Sequence, residues 1–427
     1  MHEAAPTTAV APARQSAGRT ALAGLIGNVL EWFDFAVYGY FASDIGRQFF
    51  PHSSSTAQQL LSFTVFALGF TARPVGSIVL GPVGDRIGRK ALLTLSIAVM
   101  GAATLGIGLL PTYDQIGLAA PILLMAFRLV QGFSVGAEFT GSMVYTTELS
   151  SPARRGLISS STAAGTTIGF ILGSGSAWLV NTLLGSGDAV AWRWRIPFIA
   201  SVVLCGVGWA LRSGLHETAE GVKASSARPP LFASLAADWL PMLRTFGIIS
   251  VINAAYYLTF TYVVERRARL GGASYLLANT ISLFIVLASK VLGGWLSDRV
   301  GRRKLSLLVT IGLILVIYPA LQVMLFGSVA AFTAAQMVLA IPIGMAFGLQ
   351  GAMVVELYPL RTRVTSMSIA YSVTLALTGG TAPLISAWLI DVLGIQLAPA
   401  FYIMTLGIIG VLLMLPMPET NGSALDR

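Results

Sequence analysis

Two carboxylates, Glu31 and Asp34, stand three residues apart inside the apolar stretch GNVLEWFDFAVYGYF, residues 27–41. A charged side chain at the centre of a bilayer costs about 2.5–3.5 kcal/mol on insertion scales, so charges placed there usually serve a function. At about 100° per residue, Asn28, Glu31, Asp34 and Tyr38 share one broad face of a helix. We expect this face to point toward a water-filled cavity, where an acid can bind and release a proton.

Other apolar segments carry four more charged residues, namely Arg73, Arg128, Glu138 and Lys290. Unpaired charges in hydrocarbon are prohibitive, so these groups must pair with one another or contact water. We predict that Asp34 or Glu31 lies near Arg128 in one state. A neighbouring arginine lowers the pKa of an acid and desolvation raises it, so a movement of Arg128 would let the acid take up and release a proton. Glu138 is a third candidate carrier, and an alternative is that Glu31 and Asp34 are purely structural.

Aromatic and polar residues on the same segments suggest a binding site for a small molecule. Aromatic faces attract quaternary ammonium groups, and either Arg128 or Lys290 can hold a carboxylate. This combination suits a zwitterion, or a small organic anion if the basic residues dominate, although the tyrosines can also serve interhelical packing. The predicted substrate-binding residues are Trp32, Tyr38, Arg128, Asn253, Tyr256, Tyr257 and Lys290.

The composition shows which elements must position these residues. Of 427 residues, 55% are hydrophobic and only 11% are charged, and the mean hydropathy is +0.77. Soluble domains carry roughly 25% charged residues, so the chain is predicted to be an all-α integral membrane protein with twelve spans in two pseudo-symmetric six-helix bundles. The predicted organisation is an N-terminal tail over 1–20, a first bundle over 21–211, a linker over 212–242, a second bundle over 243–416 and a C-terminal tail over 417–427.

Basic residues between the spans predict the orientation. Most of the 27 Lys and Arg residues fall in segments on the side of the two termini, which favours both termini in the cytoplasm of a bacterial inner membrane. This pattern explains the net charge of +9 without nucleic-acid binding, and a functional monomer in the lipid bilayer is expected. The run ERRARL, 265–270, is a misfit, which we place at an outer helix end.

Three landmarks recur in the two halves in the same order. GPVGDRIGRK, 81–90, matches GWLSDRVGRRK, 294–304, and ELSSPARRG, 148–156, matches ELYPLRTRV, 356–364; LHET, 215–218, matches MPET, 417–420. The chain is therefore predicted to be a duplicated six-helix unit with parallel halves. We expect the loop charges to form ion pairs across the halves that latch one conformation, the alternative being that they only anchor orientation. The predicted gate residues are Asp85, Arg86, Arg89, Glu148, Arg155, Asp298, Arg299, Arg302, Glu356 and Arg363.

The repeated loop resembles the signature of the major facilitator superfamily. The blocks at 27–42, ARPVG at 72–76, RLVQGFSVGAEFTGSMVYTTELSSPARRG at 128–156 and WRWRIPF at 192–198 are similar to the metabolite:proton symporter family, most of all to its proline/betaine branch, with citrate, α-ketoglutarate and shikimate carriers behind. The resemblance implies the twelve-helix fold of that superfamily, coupling of cargo to protons, and joint action of a first-span acid with a fourth-span arginine.

Other classes of function find little support. The three histidines, His2, His52 and His216, fall outside the predicted spans, and motifs for metal hydrolysis or phosphate binding are absent from the sequence. We therefore predict no enzyme activity, metal or cofactor, with the proton as coupling ion. The predicted function is a proton-coupled symporter that imports a small polar metabolite by alternating access, with a zwitterion such as proline or betaine favoured. An organic acid:proton symporter and a drug/proton antiporter are the alternatives.

Overall fold

Helices make up nearly all of the described chain. The computed structural model describes residues 17–87, 89–136, 138–148, 150–184, 190–213, 231–422 and 425. A bilayer offers no water to the backbone, so an apolar chain crossing it must satisfy its N–H and C=O groups within helices. Of the helices described, eight are long and apolar enough to cross a membrane.

Six long helices form the first half of the chain. They are α1 (Ala17–Tyr40), α2 (Ser55–Ile87), α3 (Arg89–Leu109), α4 (Ala119–Ser134, continued by Glu138–Glu148), α5 (Arg155–Leu184) and α6 (Arg195–Ser213). Short helices lie between them at Ala42–Phe49, Tyr113–Ile116, Pro152–Arg154 and Val190–Arg193.

Six more form the second half. They are α7 (Trp239–Gly271), α8 (Ser274–Val300), α9 (Arg302–Phe326), α10 (Val329–Val355), α11 (Arg363–Leu393) and α12 (Ala398–Met414). A short helix at Leu231–Ala237 precedes α7 and falls within the predicted linker, whose residues 214–230 lie outside the described residues.

The two halves repeat one packing pattern. In the first half α2 packs on α4, α3 on α6 and α1 on α5; in the second half α8 packs on α10, α9 on α12 and α7 on α11. The equivalent crossings even use equivalent glycines, because a Cβ on Gly136 would collide with the carbonyl of Arg73 and a Cβ on Gly344 with that of Val286. Small residues let membrane helices approach this closely.

The halves meet mainly where α5 packs on α8 and where α2 packs on α11. Gly156 of α5 and Gly294 of α8 lie backbone to backbone, since a Cβ on either would collide with the carbonyl of the other. We name the two ends of the bundle after a residue at each: the Asp298 end, where this crossing lies, and the Glu265 end.

Two helices are interrupted by wider π-helical turns. In α7 the turn covers Leu258–Tyr262, and in α11 it covers Leu375–Gly380. Such turns are rare and are often found at functional sites. Tyr256 and Tyr257 directly precede the first of them, so the irregular part of α7 lies beside two predicted substrate-binding residues.

Candidate functional site

A completely buried ion pair joins α1 to α4. Arg128 Nη1 donates to Asp34 Oδ2 at 2.8 Å and to Gln131 Oε1 at 2.8 Å, and neither Asp34 nor Arg128 is exposed. Gln131 Nε2 in turn donates to Asp34 Oδ1 at 2.9 Å and to Thr104 Oγ1 on α3 at 2.8 Å. Both oxygens of the Asp34 carboxylate therefore accept hydrogen bonds, as a buried charge requires.

Aromatic rings cover the other side of this pair. The Arg128 guanidinium carbon lies 4.4 Å from the ring centroid of Phe35, 4.5 Å from that of Tyr38 and 5.8 Å from that of Phe66. The Tyr38 hydroxyl donates to the Ser62 carbonyl at 3.3 Å. Cation–π contacts of this kind stabilise a desolvated cation, so Tyr38 packs against Arg128.

A second ion pair joins α1 to α2, about one helical turn before Asp34. Arg73 Nη1 of α2 lies 2.6 Å from Glu31 Oε1, and both side chains are buried. The Arg73 guanidinium carbon also lies 4.7 Å from the Phe35 centroid, 4.8 Å from that of Phe70 and 5.1 Å from that of Trp32. Of the two acids considered for the partner of Arg128, the structure brings Asp34 to it and pairs Glu31 with Arg73.

Glu138 begins the second segment of α4 and is half-buried. It accepts a hydrogen bond from Ser96 Oγ of α3 at 3.4 Å.

A small cavity lies between the two halves, with a volume of about 10 Å³, which is room for about one water molecule. Its walls come from α1, α4 and α5 on one side and from α7, α8, α10 and α11 on the other. Every lining side chain is buried, so the cavity is occluded. The lining residues are Trp32, Phe139, Thr166, Phe170, Asn253, Tyr256, Tyr257, Lys290, Phe347 and Tyr371.

Five of the seven predicted substrate-binding residues line this cavity, and two do not. Tyr38 and Arg128 belong to the Asp34 ion pair described above. The sequence prediction missed Thr166, Phe170, Phe347, Tyr371 and Phe139, whose spacing does not separate them from ordinary packing residues.

Lys290 is the cation in the cavity wall. Its ammonium Nζ donates to the Ala163 carbonyl at 2.9 Å and to Thr166 Oγ1 at 2.7 Å, both on α5 of the other half. It also lies 4.6 Å from the ring centroid of Phe347 and 6.0 Å from that of Tyr256. Within the part of the chain that the structure describes, its hydrogen-bond acceptors are neutral groups.

Three donors in the cavity wall lack a hydrogen-bond partner among the described residues. They are the hydroxyls of Tyr256 and Tyr257 and the indole Nε1 of Trp32, all on buried side chains. A buried donor without an acceptor costs about 1–3 kcal/mol. Together with Lys290, these groups make a site suited to a ligand that carries acceptor oxygens and negative charge.

At the Asp298 end, charged side chains join the halves. Asp298 of α8 accepts from the backbone N–H groups of Gly156 and Leu157 at 2.8 and 2.9 Å, at the N-terminus of α5, and from Arg302 Nη1 at 2.7 Å. Gly301, between α8 and α9, adopts φ +108°, a left-handed conformation that glycine tolerates. The glycine of the repeated DRxGR loop thus permits the tight turn from Asp298 to Arg302.

Two matching ion pairs complete what we call the Asp298-end cluster (Glu148, Arg155, Asp298, Arg302, Glu356 and Arg363). Arg363 Nη1 lies 2.6 Å from Glu148 Oε1, and Arg155 Nη1 lies 3.8 Å from Glu356 Oε1. Each pair joins one half to the other, because the glutamate of each E…R landmark pairs with the arginine of the equivalent landmark in the other half. Arg302 adds a contact to Glu356 at 3.4 Å.

The remaining predicted gate residues stand apart from this cluster. The exposed Arg299 stacks on Trp295, with the guanidinium carbon 3.9 Å from the ring centroid. The side chains of Asp85, Arg86 and Arg89 lie outside the described residues.

The segment MPET, the third repeated landmark, docks onto the cluster. Glu419 accepts from the Arg302 backbone N–H at 2.6 Å, and Thr420 Oγ1 donates to Glu356 Oε2 at 2.6 Å. Asn421 Nδ2 donates to the Asp298 carbonyl at 3.1 Å. Glu419 and Thr420 are contact residues outside the predicted gate, and the MPET repeat is the sequence signal that marks them.

At the Glu265 end a buried carboxylate joins the halves. Glu265 of α7 accepts hydrogen bonds from Ser43 Oγ and, at 3.2 Å, from Gln59 Nε2, and Arg269 Nε lies 3.8 Å from it. Arg267 donates to the carbonyls of Leu325 and Gly327 at 2.8 and 2.7 Å. The charged run at 265–270 therefore binds helix ends and the opposite half, which accounts for its departure from the pattern of basic loops.

A buried amide network lies between this end and the cavity. Asn279 Nδ2 of α8 donates to the Tyr40 hydroxyl at 2.8 Å and to Ser174 Oγ at 2.9 Å, both in the first half, and Asn279 Oδ1 accepts from Gln336 Nε2 at 2.8 Å. The cavity is thus closed by polar contacts between the halves on both sides.

Known proteins place this arrangement in a family. Residues 20–220 match the family model "Sugar (and other) transporter", and residues 268–426 match that of the "Major Facilitator Superfamily". The chain is 31% identical to the proline/betaine transporter of Escherichia coli K12 over 93% of its own length and 83% of that protein. The chain belongs to the major facilitator superfamily.

Other relatives in this superfamily carry different names. The citrate-proton symporter of Klebsiella pneumoniae is 33% identical over 90% of this chain and 88% of that protein. A glycine betaine/proline/ectoine/pipecolic acid transporter of Dickeya dadantii is 31% identical over 94% of this chain and 83% of that protein.

Solved structures share the fold of this superfamily member. The crystal structure of a D-xylose-proton symporter superposes with a TM-score of 0.74 at 19% identity, over 96% of this chain and 99% of that one. The fold confirms the predicted twelve-helix membrane architecture, and the family confirms a membrane transporter in place of an enzyme.

Proposed function

We propose that this transporter is a proton-coupled symporter that imports a small polar metabolite by alternating access, with a zwitterion such as proline or betaine as cargo. The observation that carries the proposal is the separation of two sites. The Asp34–Arg128 pair lies within the first half, whereas the cavity with Lys290 lies between the halves. A proton and a cargo molecule can thus bind at different places in the transporter.

Asp34 is the proposed proton carrier. Its carboxylate is held by Arg128 and Gln131, and protonation would remove the negative charge that holds Arg128. Because Asp34 is on α1 and Arg128 on α4, a change in this pair acts on two helices whose other residues, Trp32 and Phe139, line the cavity. Glu31 and Glu138 remain secondary candidates for proton coupling.

The cargo class follows from the cavity wall and is consistent with the relatives. Seven aromatic side chains surround the space and suit an ammonium or imino group, while Lys290 suits a carboxylate. Relatives named for proline, betaine and citrate transport support a polar cargo, and an organic acid is the alternative. An apolar drug would leave Lys290 without a counter-charge, which makes the antiporter reading the weaker one.

The Asp298 end is proposed to face the cytoplasm, with both termini on that side of a bacterial inner membrane. The Asp298-end cluster would then be the cytoplasmic latch and the Glu265 end the outer one, with Asp85, Arg86, Arg89 and Arg299 as further members of the cytoplasmic gate. The two bundles, 21–211 and 243–416, joined by the 212–242 linker, would rock about the cavity within one functional monomer.

Uptake into proteoliposomes tests the proposal directly. Purified transporter is reconstituted and given an inward proton gradient, with proline, glycine betaine, citrate, α-ketoglutarate and shikimate as labelled cargo. We expect gradient-dependent accumulation of proline or glycine betaine that a protonophore abolishes. Accumulation of citrate alone would favour the organic acid symporter, and counterflow of a hydrophobic drug without uptake of the panel would favour the antiporter.

A further inference from the structure

Lys290 occupies an unusual place, because its ammonium group ties the two halves together in the wall of the cavity. It reaches from α8 to Ala163 and Thr166 of α5. We propose that these two neutral acceptors are placeholders for a single carboxylate of the cargo, so that Lys290 selects monocarboxylates and releases α5 from α8 when it binds one. The inference rests on the proposed function and specifies its cargo.

The first step is the charge of Lys290 itself. The side chain is 1% exposed, and the groups that accept its hydrogen bonds are a backbone carbonyl and a hydroxyl. An ammonium has three donor hydrogens, and a buried ammonium is normally compensated by an anion. Neutral acceptors hold the proton donors in place but leave the positive charge uncompensated.

The second step is the charge balance of the neighbourhood. Arg73 is paired with Glu31, and Arg128 with Asp34, so these two bases are already neutralised. Among the described residues that line the cavity, Lys290 is the charged side chain. One carboxylate would compensate Lys290, and the cationic group of a zwitterion would lie against the aromatic rings, whereas a dicarboxylate or citrate would bring one or two further negative charges into a closed aromatic space.

The third step is the complement of donors around the same space. The hydroxyls of Tyr256 and Tyr257 and the indole N–H of Trp32 are buried and lack acceptors among the described residues. Carboxylate oxygens can accept from these groups as well as from Lys290.

The consequence is a link between recognition and movement. In the occluded state without cargo, Lys290 adds two hydrogen bonds between α8 and α5, close to where Gly156 and Gly294 bring these helices into contact. A carboxylate that draws Lys290 away from α5 removes these two bonds, so one of the contacts that hold the halves together is lost. A ligand without a carboxylate leaves the tether in place.

Matched ligands with and without a carboxylate test the selection. Binding to the purified, detergent-solubilised transporter is measured by calorimetry for proline against prolinamide and for glycine betaine against choline. We expect the carboxylate member of each pair to bind about 10- to 100-fold more tightly, from the strength of a charge-assisted hydrogen bond. Lys290→Gln should lose this preference, and Lys290→Arg, which keeps the charge, should retain part of it.

The outcomes distinguish failure of the proposed role of Lys290 as a carboxylate anchor from failure of the proposed symporter function. Proton-driven proline uptake with an affinity that Lys290→Gln leaves unchanged overturns the anchor while the symporter stands. Failure of the wild-type protein to bind or accumulate any carboxylate-bearing ligand overturns both. Tighter binding of citrate than of proline by the wild type contradicts the selection of monocarboxylates.

Thr166→Val tests whether the Thr166 hydroxyl occupies the place of the cargo carboxylate on Lys290. The substitution keeps the shape of the side chain but removes the hydroxyl that accepts from Lys290, so the cargo no longer competes with it. We expect the dissociation constant for proline or betaine to fall about two- to tenfold, the range of one neutral hydrogen bond. Thr162→Val, one turn earlier on α5, where the hydroxyl contacts Thr146, is the matched control and should leave affinity unchanged. Weaker binding by Thr166→Val would mean that the hydroxyl serves the cargo directly and would overturn the placeholder.

Discussion

At the residue scale, the charged residues of the Asp34 region and of the cavity wall comprise two ion pairs and the cation Lys290. Glu31 with Arg73 and Asp34 with Arg128 form ion pairs inside the first half. Lys290 contacts neutral groups at the boundary between the halves. The Asp34–Arg128 ion pair suits a proton carrier that does not contact the cargo. Lys290, which has neutral hydrogen-bond acceptors, suits recognition of an anionic group on the cargo.

Asp34→Asn tests the proton carrier. Asparagine keeps an oxygen for Arg128 and fills nearly the same volume, but it cannot bind or release a proton. We expect proton-driven accumulation to be abolished, while exchange of labelled for unlabelled cargo continues. Both are measured in proteoliposomes across a pH series. Accumulation with unchanged pH dependence would remove Asp34 from the coupling step, and Glu31→Gln and Glu138→Gln would then be compared.

At the element scale, the ends of the helices determine which side of the cavity is closed. The Asp298 end is held by several charged pairs from α4, α5, α8, α9 and α11 and from Glu356 at the end of α10. Because the Glu148 and Arg363 pair is partly exposed, with 37% of the Glu148 side chain accessible, its contribution is modest, at about 0.2–1 kcal/mol. Such a small energy is useful in a latch, since the transporter must also open.

Arg363→Gln should weaken this latch. The reporter is a cysteine at Ser159, which is buried on α5 behind the cluster, in a background in which the single Cys205 is replaced by alanine. We expect maleimide to label Ser159→Cys about two- to fivefold faster when Arg363→Gln is added, from the energy of the lost pair.

A charge exchange is the control for this prediction. Glu148→Arg combined with Arg363→Glu reverses the pair, so the labelling rate should return toward that of the starting protein. If Arg363→Gln leaves the rate unchanged, the pair anchors the helices and does not regulate access.

At the scale of the whole molecule, the two ends are closed in different ways. The Asp298 end uses ion pairs between the halves, whereas the Glu265 end uses a buried carboxylate that accepts hydrogen bonds from Ser43 and Gln59, followed by the Asn279 network. If the two bundles rock as units about the cavity, opening one end must close the other.

Glu265→Ala tests this reciprocity. Removal of the carboxylate takes away the acceptor shared by α7 and the first half, so the Glu265 end should open more often. Labelling of a cysteine at the buried Ser62 of α2 should therefore rise, and labelling of Ser159→Cys should fall. A rise at both reporters would indicate local loosening and would contradict movement of the halves as rigid units.

The twelve-helix fold and its two halves were predictable from the sequence, because they depend on quantities that add up along the chain. Hydropathy counts the spans without reference to their neighbours, and the repeated DRxGR, E…R and ET landmarks record the duplication directly. The charged residues of the core and the aromatic character of the cargo site were identifiable for the same reason, since a charge or a tyrosine inside a span stands out locally.

The partners of these residues were decided only by the tertiary structure. Whether Arg128 meets Asp34 or Glu31 depends on the rotation of α1 and α4, and a difference of three residues is less than one helical turn. The same holds for Tyr38, which packs on Arg128, and for Thr166, which reaches Lys290 from the other half. Distances between helices follow from packing against glycines such as Gly156 and Gly294, and packing is a property of the assembled bundle.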